Sequence, residues 1–296
     1  MIAVMGASGN TGRRISERLL GGGEPVRVLG RSAERLEGLV QKGAEAAVGE
    51  ATDRDYLSHA FEGADAAYLL IPQELRSPDY GAFQDRVGGA LTEAIRQRGV
   101  GRVVLLSSIG ADQPSGTGPI AGLHRQEERL RGLEGADVLA LRPGFFFENY
   151  LDSLALIKHQ GINGGAMAPD MPMGMIATRD IAAAAADALL ERDFSGFEIR
   201  ELLGPRDLTL TEATRIIGEA VGRPELPYVQ LSYDEFRAAL VQIGMSASVA
   251  ETMTEMAQGF NEGRVRSLEG RTAANTTPTT LESFAAAVLA PAYETI

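Results

Sequence analysis

Three glycines spaced three residues apart, Gly6, Gly9 and Gly12, form the pattern with the clearest chemical meaning. They follow an apolar segment at residues 2–5 and precede a helical pattern at residues 13–20. The first glycine permits a tight exit from a strand, the second lets the backbone approach a pyrophosphate, and the third lets the helix lie against the sheet. Unpaired amides at the helix N-terminus would then bind the phosphates. The sequence therefore predicts a dinucleotide-binding turn, the alternative being a turn that binds nothing.

The residue that follows the second predicted strand indicates which nucleotide this turn would prefer. That strand, at residues 26–29, is followed by Gly30 and Arg31, and the first acid is Glu34. NAD sites usually have an acid at this place to bind the ribose hydroxyls, whereas a guanidinium pairs with a ribose 2′-phosphate. Arg31 therefore favours NADP(H), with NAD(H) as the alternative cofactor. The other interpretation is a solvated arginine at a strand end.

Few residues are candidates for proton transfer. The absence of cysteine excludes disulfides, thiolate catalysis and cysteine metal sites. The three histidines, His59, His124 and His159, are far apart in the sequence, so we expect no metal site. His124 could donate a proton or a hydrogen bond to a substrate oxygen, with Glu128 one helical turn further on to orient its ring. The alternatives are a structural histidine at a helix start, bonded to the backbone, and an exposed glutamate.

The elements that must position these residues follow from the hydrophobic pattern. Apolar segments alternate with helical patterns, which predicts an α/β fold: a Rossmann-type doubly wound parallel sheet with a smaller, mostly helical C-terminal substrate-side region. Residues 161–175, rich in Gly, Pro and Met, are predicted to form an irregular segment over a pocket. The predicted strands are residues 2–5, 26–29, 44–48, 66–71, 102–106, 138–141 and 197–203. The predicted helices are residues 13–20, 33–41, 80–98, 123–133, 180–190, 211–221, 233–243 and 248–261, and one more begins at residue 53.

The same pattern predicts how the chain divides. Residues 1–150 are expected to form the NAD(P)-binding Rossmann domain, with returning segments near 176–205. Residues 151–296 are expected to form mainly the substrate-side C-terminal region. The sequence contains no internal repeat and no long linker, so we expect this region to pack on the sheet.

Composition restricts the classes of partner. The net charge of −12 argues against a nucleic-acid partner, which would require a clustered basic face. No apolar run approaches the roughly 20 residues that a membrane span needs, and no charged leader or signal-peptide core precedes the first strand. We therefore expect a cytoplasmic protein with no membrane partner, acting on a small hydrophobic substrate. Its oligomeric state is left open, a homodimer included.

Several short motifs, in this order and spacing, are typical of one family. The chain resembles the NmrA-like group of atypical short-chain dehydrogenases/reductases, which includes quinone and dye reductases and also redox-sensing regulators. The matching pieces are Gly6-x-x-Gly9-x-x-Gly12, Ser107-Ser108-Ile109-Gly110-Ala111, His124 with Glu128, residues 141–149 (LRPGFFFEN), Thr178-Arg179-Asp180-Ile181-Ala182, and Leu203-Gly204-Pro205 followed by Leu210-Thr211.

The resemblance implies a set of cofactor contacts. A departure from the family pattern at Gly49-Glu50, where Gly-Asp is common, makes the adenine contact less secure. The implied contacts are Gly6, Ser8, Gly9, Asn10, Thr11 and Gly12 with the phosphates, Arg31 with the 2′-phosphate, Leu70 and Ile71 with the ribose, Ser107 and Ser108 with the nicotinamide ribose, and Pro143, Gly144 and Phe145 with the nicotinamide ring.

The chain also lacks the Tyr-x-x-x-Lys motif of the wider superfamily, in which lysine lowers the pKa of a catalytic tyrosine. Its place is taken by residues 124–128, so proton delivery by tyrosine is not supported. Two functions remain open. An NAD(P)H-dependent reductase of a quinone, dye or conjugated carbonyl is favoured by aromatic residues at 145–147 and 150 and by nearby methionines. A non-enzymatic NADP(H)-sensing regulator that binds a protein partner is favoured by the missing motif. We prefer the reductase.

Overall fold

The computed structural model describes residues 1–296 and is built around a seven-stranded parallel sheet. The strand order is β10-β6-β5-β4-β1-β2-β3, and every neighbouring pair is parallel. The strands are β1 Ile2–Met5, β2 Val26–Gly30, β3 Glu45–Val48, β4 Ala66–Leu69, β5 Arg102–Leu106, β6 Asp137–Pro143, β7 Phe145–Phe146, β8 Asn163–Gly165, β9 Met173–Ile176, β10 Phe197–Leu202, β11 Asp207–Leu208 and β12 Tyr228–Gln230.

Helices cover both faces of this sheet and also form most of the C-terminal region. The helices are α1 Asn10–Gly21, α2 Ala33–Val40, α3 Arg54–Ala60, α4 Tyr80–Arg98, α5 Pro119–Arg131, α6 Tyr150–Gln160, α7 Thr178–Glu191, α8 Leu210–Ala220, α9 Tyr233–Gln242, α10 Ala247–Asn261, α11 Leu281–Phe284 and α12 Ala290–Thr295. A 3₁₀ turn at Phe147–Asn149 precedes α6, and a π-helical turn at Ala285–Leu289 joins α11 to α12.

The two faces of the sheet have separate apolar cores. On one face, Ile15 and Leu19 of α1 and Ala185 of α7 pack under the strands. The alanine-rich sequence of α7 keeps its buried side chains small, which lets it lie close to α1. On the other face, Leu57 of α3 and Leu91 of α4 are fully buried. This arrangement confirms the predicted α/β fold with a Rossmann-type sheet.

The strand order reverses between β1 and β4, which are neighbours in the sheet although two strands and three helices separate them in the chain. In open parallel sheets, ligands bind in the crevice outside the carboxyl ends of the strands at such a switch point. The glycine-rich turn leaves the sheet at this place.

The C-terminal region has its own apolar cluster, formed by α6, α8, α10 and α11 with two small sheets, β11-β9-β7 and β12-β8. The prediction of an irregular segment at residues 161–175 was wrong in part, because β8 and the start of β9 lie within it. β8 pairs with β12, some sixty residues further along the chain, and no local pattern reveals such a partner. The proposed division near residue 150 stays a prediction.

None of the helices combines the length and the apolar character that a membrane-spanning segment requires. No group of three or more acidic or histidine side chains is placed to hold a metal ion.

Candidate functional site

The glycine-rich turn has a geometry that only small residues allow. Gly6 has a φ of +66°, and a Cβ there would lie 2.8 Å from Leu70 Cδ2 at the end of β4. A Cβ on Gly12 would lie 2.5 Å from the carbonyl oxygen of Gly6. The amide of Gly9 donates to that same oxygen at 2.9 Å. Glycine at positions 6 and 12 is therefore required for the turn itself, whereas Gly9 is exposed and has ordinary extended dihedrals.

The N-terminus of α1 is uncapped and faces the crevice. Its N-cap, Gly9, has no side chain, and the first turn contains no acid. The amides of Asn10, Thr11 and Gly12 have no hydrogen-bond partner within the chain. Free amides at the positive end of a helix are the donors that phosphate groups use. The turn therefore fits the pyrophosphate of a dinucleotide.

The side chain of Thr11 has a different role from its amide. Thr11 is buried, and its hydroxyl accepts a hydrogen bond of 3.0 Å from the Tyr68 hydroxyl on β4. Burial raises the pKa of Tyr68, so this phenol stays protonated and donates. The hydroxyl of Thr11 thus fixes α1 against the sheet, and its amide is the group that remains for a phosphate.

Two arginines lie near the glycine-rich turn, where β2 ends and α2 begins. Arg31, at the end of β2, is exposed, and its Nη1 lies 3.4 Å from Glu74 Oε2. Arg35, in the first turn of α2, places Nη2 3.4 Å from the carbonyl oxygen of Ser8. A polar cleft of about 250 Å³ opens beside the turn and the first half of α1, lined by Ser8, Gly9, Asn10, Arg13, Arg14 and Glu17. The sequence interpretation missed Arg35, although its position four residues after Arg31 in a predicted helix was a usable signal.

The presence of glycine at position 49 has a structural explanation that the family resemblance did not suggest. A Cβ on Gly49 would overlap the ring of Tyr56, whose hydroxyl donates to the carbonyl oxygen of Ala47 at 2.9 Å. Burial raises the pKa of Tyr56 to about 12. This glycine therefore makes room for Tyr56 against the end of β3, whatever binds nearby.

The predicted nicotinamide-side residues lie at the same edge of the sheet. The amide of Ser107 donates to Leu141 O at 2.8 Å, and the amide of Ile109 donates to Pro143 O at 3.1 Å. These bonds extend the pairing of β5 and β6 beyond the last residue of β5. Leu70 and Ile71, both half-buried, leave β4 at this edge. The structure thus brings the predicted ribose and nicotinamide residues to the carboxyl ends of adjacent strands, and their contacts with a cofactor stay predictions.

Gly144 is held tightly where β6 leaves the sheet. Its amide donates to Leu202 O at 3.0 Å, and a Cβ at this position would overlap the backbone of Gly174. Phe145, the next residue, is half-buried and makes edge-on contacts with Tyr150 and Phe260, with ring centroids 5.8 and 6.5 Å away. Phe145 is therefore the aromatic residue of the 145–147 run that lies between the sheet edge and the C-terminal region.

The other residues proposed to line the substrate pocket divide into two groups. Phe147 is buried and packs on Phe284 at 5.5 Å, and Met173 and Met175 are buried in the C-terminal apolar cluster. Met167 and Met171 are only half-buried at its border. Core packing thus accounts for the first group, and the second remains available to contact an apolar substrate.

A buried ion pair lies directly behind the nicotinamide-side loops, and the sequence interpretation missed it. Glu127 of α5 accepts from Arg142 of β6, with Oε2–Nη2 at 2.5 Å and Oε1–Nε at 2.9 Å. The same carboxylate accepts from the Ser107 hydroxyl at 2.5 Å. The Ser107 side chain therefore points towards this pair, while Ser108 donates its hydroxyl to Ile109 O at 2.9 Å.

Arg142 is surrounded by acids. Burial lowers the pKa of its guanidinium, but the hydrogen bonds and charge of Glu127 outweigh this and raise the pKa, with smaller contributions from Asp112 and Glu201. Glu201 of β10 is the register partner of Arg142 and accepts from the amide of Leu268 at 2.8 Å. The charge cluster thus ties α5, the sheet and the segment after α10 together.

His124 lies in the second turn of α5, because this helix begins at Pro119 and not at the predicted residue 123. The backbone bond of the structural alternative is present, and the proton-donor role stays a prediction. The Nδ1 of His124 lies 2.8 Å from the carbonyl oxygen of Ala111. A carbonyl oxygen only accepts, so Nδ1 carries the hydrogen and Nε2 is the atom left to exchange a proton. The imidazole is half-buried.

Glu128 does not orient the imidazole, and of the two alternatives for this residue the structure agrees with the exposed glutamate. Its carboxylate is exposed and pairs instead with Arg131, at 3.2 Å from Nε. The backbone of Ala111 does the orienting. Tyr150 does not replace the missing tyrosine of the superfamily either. Its buried hydroxyl lies 3.5 Å from Met175 Sδ, and burial raises its pKa, whereas a catalytic tyrosine needs a lowered one.

Helices α9 and α10 form a hairpin that meets the loop between β4 and α4. Ser246, at the start of α10, donates its amide to Leu75 O at 2.9 Å and its hydroxyl to Ser77 O at 2.5 Å. The amide of Tyr80 donates to Ser248 Oγ at 3.0 Å. The loop that follows the ribose-side residues is thereby attached to the C-terminal region.

Comparison with known proteins bears on this site. A family model, the NmrA-like family, matches residues 1–285, which confirms the resemblance inferred from the motifs. A (4-alkanoyl-5-oxo-2,5-dihydrofuran-3-yl)methyl phosphate reductase of Streptomyces griseus is 32% identical over 241 residues, covering 81% of this chain and 80% of the relative. An NAD(P)H azoreductase of Xenophilus azovorans is 29% identical over 263 residues, covering 86% of each chain. An NADPH-dependent quinone oxidoreductase structure from Escherichia coli is similar with a TM-score of 0.78 at 25% identity, covering 98% of this chain and all of the other.

Proposed function

The chain belongs to the NmrA-like family, and its curated relatives include NAD(P)H-dependent reductases; from this we propose that it is an NAD(P)H-dependent reductase of a small hydrophobic acceptor. The observation that carries the proposal is the uncapped N-terminus of α1 behind Gly6, Gly9 and Gly12, at the switch point of the sheet. A pyrophosphate there would extend the cofactor along the carboxyl edge towards Phe145.

NADP(H) is the proposed cofactor, with NAD(H) as the alternative. Arg31 and Arg35 lie on the adenosine side of the turn, where a 2′-phosphate would be bound, and no acid follows β2 directly. When bound, the reduced nicotinamide supplies a hydride. The residues proposed to hold it are the amides of the turn, Leu70 and Ile71 beside the ribose, and Pro143 to Phe145 beside the ring.

The proposed substrate class is a quinone, a dye or a conjugated carbonyl compound. Phe145, with Met167 and Met171, offers a partly exposed apolar surface next to the sheet edge. The Streptomyces griseus relative acts on an alkanoyl dihydrofuranone phosphate, which supports the conjugated carbonyl class. His124 Nε2 is the proposed proton donor to a carbonyl acceptor, and a quinone can take its proton from water.

The proposal is tested by titrating the protein with NADPH and then screening quinones, azo and triphenylmethane dyes and enones for loss of the reduced-nicotinamide absorbance. We expect tight binding of NADPH and turnover of at least one class. Nucleotide binding without turnover of any class would support the alternative of an NADP(H)-sensing regulator. A protein that binds neither the oxidised nor the reduced nucleotide would overturn both functions.

A further inference from the structure

Glu74 is an acid that lies beside the end of β2, although β2 itself is not followed by the acid that is usual in NAD-binding sites. In NAD-binding sheets the acid that binds the ribose hydroxyls usually ends the second strand, but here β2 ends at Gly30 and is followed by Arg31. Glu74 belongs to the loop between β4 and α4, and its Oε2 lies 3.4 Å from Arg31 Nη1. The loop after β4 thus brings a carboxylate to the end of β2, next to Arg31, the residue predicted to bind the 2′-phosphate.

The position of Glu74 is fixed from both sides of the loop. On one side, Leu70 packs against Gly6 of the phosphate-binding turn. On the other, the amide of Ser77 donates to Glu74 O at 3.0 Å, and Ser246 donates to the carbonyl oxygens of Leu75 and Ser77. These contacts hold the Glu74 backbone in place on the adenosine side of the crevice.

We propose that Glu74 determines the choice between the two nicotinamide nucleotides, a step that rests on the proposed function because it requires a nucleotide in this crevice. In the free protein the carboxylate of Glu74 forms an ion pair with the guanidinium of Arg31. A 2′-phosphate must displace it and then face a like charge, whereas a ribose 2′-hydroxyl displaces nothing and donates a hydrogen bond to Glu74. Glu74 therefore weakens the binding of NADP(H) and supports that of NAD(H).

The size of the effect follows from the exposure of the pair. The side chains of Arg31 and Glu74 are 57% and 36% exposed, so water and salt screen their charges. Removing the Glu74 charge should strengthen 2′-phosphate binding by about three- to tenfold at low ionic strength. The gain should shrink as salt is added.

The test uses Glu74→Gln in the full chain, with Glu37→Gln as the matched control. Glu37 is also exposed and lies on α2, but its carboxylate contacts only Gln41. Affinities for adenosine 2′,5′-bisphosphate, 5′-AMP, NADPH and NADH are measured by calorimetry at two salt concentrations. We expect E74Q to tighten the binding of the bisphosphate and NADPH and to weaken that of 5′-AMP and NADH, which both carry a free 2′-hydroxyl. We expect E37Q to change the affinities for NADPH and NADH equally.

A second background separates competition for Arg31 from a general charge effect. In an Arg31→Ala chain, E74Q should improve bisphosphate affinity by less than about twofold, since the group for which Glu74 competes is gone. An equal gain in both backgrounds would overturn the competition. If the wild-type protein binds both nucleotides and E74Q leaves the ratio of their affinities unchanged, the role proposed for Glu74 is overturned, and the proposed function is not affected. A wild-type protein that binds no nucleotide would instead remove the proposed function.

Discussion

Arg142 and Glu127 form a two-pronged ion pair inside the carboxyl edge of the sheet, with their side chains only 7% and 1% exposed. The pair joins α5 to β6 immediately before Pro143 and Gly144. Because the same carboxylate accepts from Ser107 at the end of β5, one side chain ties together the two loops that are predicted to flank the nicotinamide.

We expect Glu127→Gln to lower the free energy of unfolding by about 2–4 kcal/mol, because it leaves a buried guanidinium without its counter-charge. Asp112 and Glu201 also face Arg142 and keep part of its counter-charge. The loss of unfolding free energy should therefore be smaller than that for a buried charge with no acid nearby. Urea denaturation at neutral pH measures the change.

Glu128→Gln is the control for this variant, since it changes the same charge one residue away. Glu128 is exposed and pairs with Arg131 three residues further on the same helix, an arrangement worth less than about 0.5 kcal/mol. Equal losses for the two variants would show that the Glu127–Arg142 pair is not the stabilising contact.

His124→Gln tests the proposed proton donor. Glutamine keeps a polar side chain but cannot deliver a proton, so we expect kcat with a conjugated carbonyl acceptor to fall about 100-fold. With a quinone, whose proton can come from water, the fall should be less than about threefold. Steady-state rates of NADPH oxidation with the two acceptors measure the difference.

Tyr150→Phe serves as the comparison for His124→Gln. It removes a buried hydroxyl whose partner is the sulfur of Met175, so kcat should stay within about twofold with either acceptor. The donor role of His124 fails if His124→Gln slows both acceptors alike, and a large loss in Tyr150→Phe would return that role to tyrosine.

The sequence was sufficient where a feature depends on neighbouring residues. The spacing of Gly6, Gly9 and Gly12 predicted the turn because local backbone geometry requires glycine at positions 6 and 12. The βαβ alternation predicted the sheet because buried parallel strands are uniformly apolar. The cofactor contacts implied by the family resemblance remain predictions, although the structure brings their residues to one edge.

Helical phase explains why Glu127 is buried while Glu128 is exposed. The two acids are adjacent, and a rotation of about 100° per residue places one on the sheet and the other in water. Which one is buried depends on the packing of α5 against β6, and on Arg142, which comes 15 residues later. Glu74 was missed for a similar reason, since its partner Arg31 is 43 residues away and follows a different strand, β2.

Gly9→Ala tests the phosphate-binding turn without disturbing its fold. The dihedrals of Gly9 suit any residue, and a Cβ would lie 3.3 Å from Gly6 O, a tight but tolerable contact. The methyl group would stand where a pyrophosphate approaches the backbone, so we expect NADPH affinity to fall about 10- to 100-fold with stability nearly unchanged. Calorimetric titration and thermal unfolding measure the two quantities.

The matched control is Gly21→Ala, at the other end of the same helix. A Cβ there meets nothing within 4 Å, so both affinity and fold should be retained. If Gly9→Ala binds NADPH as tightly as Gly21→Ala does, the phosphates do not lie on this turn.

Asp85 should make stability depend on pH, because it links α4 to α5 through Arg125 Nε at 2.8 Å and Arg129 Nη2 at 2.5 Å. Burial raises the pKa of Asp85, but the hydrogen bonds and charges of the two arginines outweigh it and lower the pKa below its ordinary 3.8. Because the pKa of Asp85 is lower in the folded state, the carboxylate stabilises the fold at pH values above its pKa in the unfolded state. This contribution is lost as the pH falls through its pKa in the folded state.

We therefore expect Asp85→Asn to cost about 0.5–1 kcal/mol at neutral pH, a small value because 43% of the side chain is exposed and screened by solvent. The difference from wild type should vanish once acid has protonated Asp85 in both states. Glu225→Gln, an exposed acid that forms no ion pair, controls for the change in net charge. Urea denaturation at a series of acid pH values measures the difference in unfolding free energy between Asp85→Asn and wild type. A difference that persists after Asp85 is protonated would assign the effect to packing between α4 and α5 and not to charge.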